Sequence, residues 1–425
     1  MKPRALTTSL VTAGWLLLAA FVVGVTLSCR VVADVRAFQV FYLVGFLGYA
    51  LLCWLVAVRA RGSPPGRWRW WLAGCIASRA CLLAVEPSDD AYRYVWEGRV
   101  QRAGLNPFSH APDDDRLAPL RDRDWARINH PDYAAIYPPI AQMEFLLIAA
   151  VCPSVFAVKA LHVVWDILVL AVLGACLKRT GRPPHAAVAY GLCPLVLAAF
   201  AMEGHVDSLM LLFVALSLWG VLADKPWFAG AMLGAAIAAK LIPAVLLPWF
   251  LLRRPAAAAL AVGVAGLCYL PYVGAGTDLF ASLTRFGASG TILSLLPTLG
   301  VTRFASAAER GAVAAALGVT IIVLAVRCRD FTRYGAAATG ALLMLMPIVH
   351  FWYFSWALLY AALLPRVRWM VGAAAMVGYF EAEAACARTD SWSMPPAVAT
   401  IVWGAVLLTW AVEALLARRD RAAQV

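Results

Sequence analysis

The sequence predicts an all-α protein that crosses a membrane many times. Of its 425 residues, 63% are hydrophobic and only 14% are charged, whereas a soluble domain is about 45–50% apolar and about 25% charged. The polar side chains that would cover soluble domains are therefore missing. Apolar runs approaching the roughly 20 residues needed to cross a bilayer fill most of the chain. We expect one transmembrane domain over residues 1–425, built as a bundle of about 12–14 helices.

The apolar runs recur from the N-terminus to the C-terminus. The longest are 10–29, 38–57, 70–85, 155–177, 256–273 and 397–417, and shorter ones are 186–201, 208–223, 312–326, 335–349, 354–364 and 370–380. The first run follows basic residues but lacks a small-residue cleavage site, so we expect a retained span rather than a signal peptide. The run at 139–152 is too short to cross and is predicted to be re-entrant or juxtamembrane.

The basic residues predict the orientation. Cytoplasmic connections collect Lys and Arg, and the net charge of +12 follows from that rule if both termini are cytoplasmic. The connections then predicted inside are 59–69, 178–184, 224–225, 253–254, 327–333, 366–368 and the tail from Arg418. With the N-terminus they hold 20 of the 36 basic residues. This arrangement requires segment 227–252 to turn near Lys240, which would otherwise lie near the middle of the membrane.

The same orientation places the polar segments 86–138 and 274–311 outside the cytoplasm, in a cell inner (plasma) membrane. We expect the first of these loops, with juxtamembrane helices, to carry the chemistry. The ten cysteines have no metal or redox spacing, and no nucleotide-binding glycine loop is present. No cofactor and no nucleic acid partner are therefore expected, and a divalent metal is not indicated.

The start of the first outer loop predicts a short helix at the membrane surface. Acidic residues in its first turn suit the helix dipole. Positions i, i+3, i+4 and i+7 of one face carry Asp90, Arg93, Tyr94 and Glu97. Together with Asp89, this places carboxylates at the lipid–water boundary, where ionisable groups are functional candidates by default. Glu97 and Arg99 fit equally well a charge pair that only stabilises the helix.

Further polar residues lie in the outer parts of the chain. They are Asn106, Tyr137, Glu203, His205, Asp207, Lys240, Arg285, His350, Trp352 and Tyr353. Under the predicted topology all of them share the face of Asp90. The E-G-H-V-D stretch has no established metal-ligand spacing and is a weak signal on its own.

Several motifs then occur in a recognisable order. They are D-A-Y-R-Y-V-W-E-G-R-V-Q, G-L-N-P-F, I-Y-P-P, G-H-V-D, A-A-K-L-I-P and H-F-W-Y-F-S-W. In that order, from about residue 79 to about residue 360, the chain resembles bacterial polyprenyl-phosphate-mannose-dependent mannosyltransferases. These enzymes belong to the GT-C superfamily (glycosyltransferase family 87 and its relatives). The family often has W-D-G where this chain has Trp96-Glu97-Gly98, which leaves the role of Glu97 open.

The resemblance implies a GT-C-type bundle, a polyprenyl-phosphate sugar donor, a glycan or glycolipid acceptor and an outward-facing active site. It also implies a catalytic acidic residue in the first outer loop. Asp90 matches that position by its spacing from Tyr-Arg-Tyr, and Asp89 is the alternative. A glycosyl phosphate has a good leaving group, so the reaction needs a base and positive charge for the departing phosphate. A single displacement would invert the anomeric carbon.

Each remaining residue has a predicted role. Lys240, Arg93, Arg99 and Arg285 are expected to bind the donor phosphate. Glu97, Tyr94, Asn106, Tyr137, Glu203, His205, Asp207, His350, Trp352 and Tyr353 are expected to bind sugar or acceptor. Three alternatives remain open. Lys240 fits a pair with an internal carboxylate such as Asp207, and Trp352 and Tyr353 fit an aromatic belt. Glu203, His205 and Asp207 fit hydrogen-bonded polar groups at a helix mouth. Arg79 and Asp166, inside predicted spans, are expected to pair or pack.

Other functional classes remain possible on sequence alone. A transporter or flippase of lipid-linked sugars would also be polytopic, but it would more often show paired halves with matching interrupted helices. We find no such pairing. An enzyme on the same scaffold that transfers another hexose or a pentose is not distinguished by the sequence.

Overall fold

The computed structural model describes residues 3–28, 34–59, 68–364, 366–389 and 392–422. Within this part of the chain it contains helices and turns but no strand, apart from an isolated bridge between Ile292 and Ile348. Among the described residues, five helices are long and apolar enough to cross a membrane, or up to seven if each of two bent helix pairs is one span. The all-α polytopic class is confirmed. The expected 12–14 crossings would also require shorter helices to cross, so that number stays a prediction.

The first half of the chain contains α1 (Pro3–Ser28), α2 (Val35–Arg59), α3 (Trp68–Leu82), α4 (Asp89–Arg102), α5 (Pro139–Val151), α6 (Val155–Arg179), α7 (Val188–Gly191), α8 (Pro194–Leu197), α9 (Asp207–Leu222) and α10 (Pro226–Ala239). The second half contains α11 (Leu247–Arg253), α12 (Pro255–Cys268), α13 (Ala281–Ala288), α14 (Leu295–Thr298), α15 (Ala307–Arg327), α16 (Phe331–Leu345), α17 (Phe354–Ala361), α18 (Val367–Ala375), α19 (Tyr379–Thr389) and α20 (Pro396–Ala422).

Glycines set the closest helix contacts. A Cβ atom added to Gly48 on α2 would lie 2.6 Å from the Gly14 carbonyl oxygen on α1. One added to Gly230 on α10 would lie 2.3 Å from the Ala257 carbonyl oxygen on α12. Small residues allow such close packing between membrane helices, where the hydrophobic effect cannot drive association. Replacing either glycine by a larger residue would therefore force its two helices apart.

The two intramembrane charges noted in the sequence, Arg79 and Asp166, pair with each other. Arg79 on α3 and Asp166 on α6 form a fully buried ion pair of 2.7 Å. Arg79 also donates to the Gly191 carbonyl oxygen at 2.8 Å, and Tyr190 donates to Asp166 at 2.7 Å. Unpaired charges at this depth are costly. The expectation that these residues pair or pack is confirmed by this contact.

The helix break near Lys240 also occurs where the sequence predicts it. The α10 helix ends at Ala239, Lys240 is extended, and a 3₁₀ turn over Ile242–Leu246 leads into α11. Pro243 lies in that turn and has no backbone N–H to donate. The 13-residue helix α5 is shorter than the roughly 20 residues needed to cross a bilayer, so its predicted re-entrant or juxtamembrane character stays a prediction.

The predicted outer segments meet at one end of the bundle. The Ser88 N–H donates to the Glu203 carbonyl oxygen at 3.3 Å, which joins the first outer loop to the 203–207 stretch. The segment 274–311 is largely helical, since it contains α13, α14 and the start of α15. It is joined to the 346–350 stretch by the Ile292–Ile348 bridge.

Predicted inner connections meet as well. Arg254 pairs with Asp224 at 2.7 Å, and Arg253 donates to the Val326 carbonyl oxygen at 3.1 Å. Most of the predicted 59–69 connection, residues 60–67, lies outside the described residues. The bundle therefore separates the two sets of connections, and the membrane side of each set stays a prediction.

Candidate active site

Helix α4 carries the acidic motif and is held against α5. It starts at Asp89, with acidic residues in its first turn as the sequence predicts. A Cβ atom added to Gly98 would lie 2.1 Å from the Phe145 carbonyl oxygen, so the W-x-G glycine allows the two helices to touch. Tyr94 stacks on Phe145 with ring centroids 4.5 Å apart. These contacts fix the direction in which the first turn of α4 points its carboxylates.

Four donors surround the Asp90 carboxylate. Asn129 donates to Oδ1 at 2.6 Å, and His205 Nδ1 lies 3.2 Å from Oδ2. The hydroxyls of Tyr94 and Tyr137 donate to Oδ2 at 3.3 Å and 3.4 Å. The two tyrosine contacts are longer than the roughly 2.5–3.0 Å typical of O–H···O hydrogen bonds. An incoming hydroxyl group could replace them at little cost, and the side chain is 14% exposed.

The two adjacent carboxyl groups have opposite acidities. Burial raises the pKa of Asp90, but the hydrogen bond and positive charge of His205 and the hydrogen bond from Asn129 outweigh it, so the pKa falls below its usual range. Asp89 is reached by solvent but crowded by protein. This crowding and the negative charge of Asp90 raise the pKa of Asp89 to about 7. Asp90 is therefore ionised at neutral pH, whereas Asp89 is partly protonated.

His205 bridges two carboxylates. Its Nε2 lies 2.8 Å from Glu203 Oε2, while its Nδ1 faces Asp90. Burial lowers the pKa of His205, but hydrogen bonds and charges from Asp90 and Glu203 outweigh burial and raise the pKa to about 9. The imidazole is therefore protonated at neutral pH, donates through both nitrogens, and keeps Asp90 ionised.

A second carboxyl pair lies behind His205, and the sequence did not reveal it. Glu383 on α19 is in hydrogen-bond contact with Glu203. Burial and the charges of Glu203 and Asp89 raise the pKa of Glu383 far above its usual range, and burial also raises that of Glu203. Both directions favour one proton shared between the two carboxyl groups. The available signal was a carboxylate just beyond the apolar run 370–380, at the depth where the other candidates lie.

Trp352 stacks between two histidines. Its ring lies 3.6 Å from that of His205 and 4.3 Å from that of His350, both nearly parallel. Burial lowers the pKa of His350 to about 3, with nearby cations adding to the effect. His350 is therefore neutral, and its Nδ1 lies 2.6 Å from the Tyr379 hydroxyl. This structure places Trp352 within the cluster around Asp90.

Lys240 contacts Asp207, the internal partner that the sequence allowed as the alternative. The ammonium donates to both Asp207 oxygens at 2.9 Å, and the Trp356 indole donates to Oδ1 at 2.7 Å. Lys240 also lies over the Tyr353 ring, 4.8 Å from its centroid. Since an ammonium has three donors, one remains after both bonds to Asp207. The Lys240 side chain keeps 14% exposure.

Two charged residues of α4 have protein partners that explain them. Arg93 donates to Glu97 at 2.6 Å and to the backbone carbonyl oxygens of His130 and Tyr133 at 3.0 Å and 2.6 Å. Glu97 also accepts from the Gln142 amide. Both side chains are buried. They hold the 129–133 segment, which presents Asn129 to Asp90, and we assign them no direct part in donor or sugar binding.

Three other predicted site residues connect loops instead of joining the cluster. Arg99 pairs with Asp122, and Asn106 donates to the Tyr272 carbonyl oxygen at 3.0 Å. Arg285 pairs with Asp132. In the described contacts none of the three touches Asp90. Within the same part of the chain, no three His, Cys, Asp or Glu side chains are arranged to hold a metal ion.

Comparison with known proteins identifies the family. No curated protein and no solved structure matches the chain significantly. Residues 5–255, more than half of the chain, match the MptA_B family, described as Alpha-(1->6)-mannopyranosyltransferase, N-terminal domain. This stretch contains the α4 motif, the 203–207 stretch and Lys240. The chain therefore belongs to this mannosyltransferase family, as the order of its motifs implies.

Proposed function

We propose that the protein transfers mannose from a polyprenyl-phosphate donor to a glycan or glycolipid acceptor, at the extracytoplasmic end of the bundle. The observation that carries the proposal is the ionised Asp90 carboxylate. It is partly exposed among polar groups from three parts of the chain, and two of its four hydrogen bonds are weak. Carboxylates with this setting suit general-base chemistry on an incoming hydroxyl.

The donor class follows from what the transfer requires. The chain has no nucleotide-binding glycine motif, and its position in a membrane suits a donor that is itself anchored in lipid. A polyprenyl phosphate leaves without protonation, so the site needs no general acid. What it needs is a base for the acceptor and a cation for the departing phosphate.

The proposed step is a single displacement. The acceptor hydroxyl oxygen attacks the anomeric carbon of the mannosyl phosphate, and its proton passes to Asp90. The bond between that carbon and the phosphate oxygen breaks, and the electron pair leaves with polyprenyl phosphate. Since the displacement inverts the anomeric carbon, an α product requires a β-linked donor. For the (1→6) linkage in the family's description, the attacking group is a primary hydroxyl.

Lys240 supplies the cation in this proposal. Its third N–H is not used by Asp207, and the aromatic rings of Tyr353 and Trp356 shield it from bulk water. The leaving phosphate gains a second negative charge as the bond breaks, and a partly desolvated ammonium stabilises that charge more than an exposed one would. His205 and Glu203, which are buried and hydrogen-bonded to each other, hold the Asp90 carboxylate in position rather than contact the sugar. Trp352 offers an apolar edge to the mannose ring.

The test of the activity uses purified protein and synthetic donors. Polyprenyl-phosphate-mannose with a mannoside acceptor should yield polyprenyl phosphate and an extended α-mannoside, whereas GDP-mannose should yield neither. Polyprenyl-phosphate-glucose and polyprenyl-phosphate-arabinose serve as control donors that differ from the mannose donor only in the sugar. Turnover of GDP-mannose in a preparation free of polyprenyl phosphate would contradict the proposal, and so would release from the glucose or arabinose donor alone.

The proposed membrane side has its own test. Cysteines are introduced singly at Arg123, whose side chain is 94% exposed, and at Arg182, in a background where the exposed Cys81 and Cys152 are serine. An impermeant maleimide added to intact cells should label Arg123→Cys and not Arg182→Cys, although both should react after the membrane is opened. The reverse labelling pattern would place Asp90 in the cytoplasm.

A further inference from the structure

A cavity of about 300 Å³ lies between α16, α17 and α18, away from the Asp90 cluster. It is near the start of α16, at Arg333, whereas the other end of that 15-residue helix leads to His350. At 1.5 Å per residue the two ends are roughly 20 Å apart. The volume corresponds to roughly ten water molecules, each occupying about 30 Å³ in the liquid. This cavity is therefore large enough for a small polar group and separate from the transfer site.

Small side chains create the space. The wall contributed by α16 is Ala336 and Ala337, and α17 contributes Ala357 and Ala361. A Cβ atom added to the neighbouring Gly335 would lie 2.5 Å from the Tyr360 hydroxyl, so the two helices are already in contact there. The alanines next to that contact leave the cavity unfilled.

The charges around the cavity are unbalanced. Three arginines line it, Arg333, Arg366 and Arg368, and no acidic residue does. Arg368 is paired with Glu413 at 3.1 Å. In the described part of the chain Arg333 and Arg366 have no acidic partner. Burial and the positive charge of Arg366 lower the pKa of Arg368, against the effect of Glu413. An anion placed among the three guanidinium groups would relieve this repulsion.

The surroundings indicate what kind of anion fits. Guanidinium groups bind phosphate oxygens in a fork geometry. Exposed apolar side chains adjoin the arginines: Val367, between Arg366 and Arg368 in the chain, is 49% exposed, and Trp410, whose ring centroid lies 5.0 Å from the Arg368 guanidinium, is 45% exposed. A free phosphate would make no contact with this apolar surface, whereas the acyl chains of a phospholipid would bury it. We propose that the cavity binds the headgroup phosphate of an anionic phospholipid, at the end of the bundle away from Asp90.

This proposal does not depend on the transfer reaction, and its test measures binding. The midpoint of thermal unfolding in detergent is followed while dioctanoyl phosphatidylglycerol is added. We expect a saturable rise with this lipid and little change with dioctanoyl phosphatidylcholine or with sn-glycerol 1-phosphate. The double variant Arg333→Gln/Arg366→Gln should bind the anionic lipid roughly 10- to 30-fold more weakly, because two basic contacts to an anionic lipid are lost. Both side chains are exposed, so the variant should fold.

The control removes the same charge nearby. Arg418 and Arg419 lie near the C-terminal end of α20, the helix that supplies Glu413, and both are exposed. Arg418→Gln/Arg419→Gln should bind the lipid as tightly as the unchanged protein does. The lipid affinity of Arg333→Lys/Arg366→Lys should lie between those of the unchanged protein and Arg333→Gln/Arg366→Gln. The proposal is overturned by equal responses to the two phospholipids, by equal losses in both Gln variants, or by sn-glycerol 1-phosphate acting as strongly as the lipid.

Discussion

Replacing Lys240 by methionine separates the two roles that this lysine could have. Asp207 is 1% exposed, and its charge is matched by Lys240. Removing one partner of a buried ion pair commonly costs about 3–5 kcal/mol, because the other charge is left uncompensated. The Trp356 indole would still donate to Asp207, so we expect the lower end, about 3 kcal/mol. Lys240→Met should therefore lower the thermal unfolding midpoint clearly.

The double variant Lys240→Met/Asp207→Asn removes both charges. Asparagine still accepts from Trp356, so most of the lost stability should return, and the molecule becomes suitable for a donor titration. If the third N–H of Lys240 binds the leaving phosphate, the donor KM stays raised in the double variant. A hydrogen bond to a charged group contributes about 1.5–3 kcal/mol, which corresponds to roughly tenfold or more in affinity.

Unfolding and donor titration are measured on the same preparations, with Lys225→Met as the matched control. Lys225 is exposed, lies 5.2 Å from the Trp219 ring, and belongs to a predicted inner connection. The Lys225→Met variant should change neither the unfolding midpoint nor the donor KM. A double variant with both normal stability and normal donor KM would refute the phosphate role and leave Lys240 as the counter-ion of Asp207 alone. A normal unfolding midpoint in Lys240→Met would refute the structural argument.

The remaining predictions concern the carboxyl groups and His205. Asp90→Asn should lower turnover by about 10²- to 10⁴-fold without unfolding the protein, while Asp89→Asn should stay within a few-fold. Because Asp90 stays ionised, turnover should not change with pH around pH 7. If turnover instead falls below about pH 7, and that fall disappears in Asp89→Asn, the base is Asp89. The raised pKa of His205 stabilises the fold fully below about pH 6.5, and that stability is lost as pH rises through about 9. His205→Gln should flatten this decline in unfolding midpoint, and an unchanged decline would contradict the assignment. Glu383→Gln, which imitates the protonated carboxyl, should keep stability and activity, whereas Glu383→Ala should lose stability; equal losses would argue against a shared proton.

Features that depend on short stretches of sequence could be predicted. Composition alone established the all-α membrane class, since nothing else explains so few charges. The start of α4 at Asp89 and the break at Lys240 followed from helix-start signals, from proline and from the cost of a lysine in mid-membrane. The same cost predicted that Arg79 and Asp166 pair or pack, and the structure shows that they pair with each other. In each case the feature is set by interactions among residues close together in the sequence, or by the cost of placing a charge in the bilayer.

Features that depend on which partner lies nearest could not be predicted. Arg93 and Glu97 share a helix face, and the sequence left open whether they meet each other or a ligand. The structure shows that Arg93 is occupied by Glu97 and by two carbonyl oxygens of the 129–133 segment. Glu383 was missed because its importance arises from contact with a residue 180 positions earlier, Glu203. The number of crossings stays a prediction, because apolar runs do not reveal where a chain bends within the membrane.

The arrangement of charge around Asp90 bears on how a site with so many acidic groups could accept the anionic donor that we propose. Asp90 and Glu203 share the protonated His205, Asp207 has Lys240, and Glu383 is protonated, so these four acidic groups leave a net charge of about one negative unit. A mannosyl phosphate would therefore meet much less repulsion than four unpaired carboxylates would cause. In the proposed reaction, transfer adds a second charge to the phosphate and removes one from Asp90 as it takes the proton. Negative charge would then move from the carboxylate toward the phosphate, and the N–H of Lys240 that Asp207 does not use is the group proposed to stabilise it there.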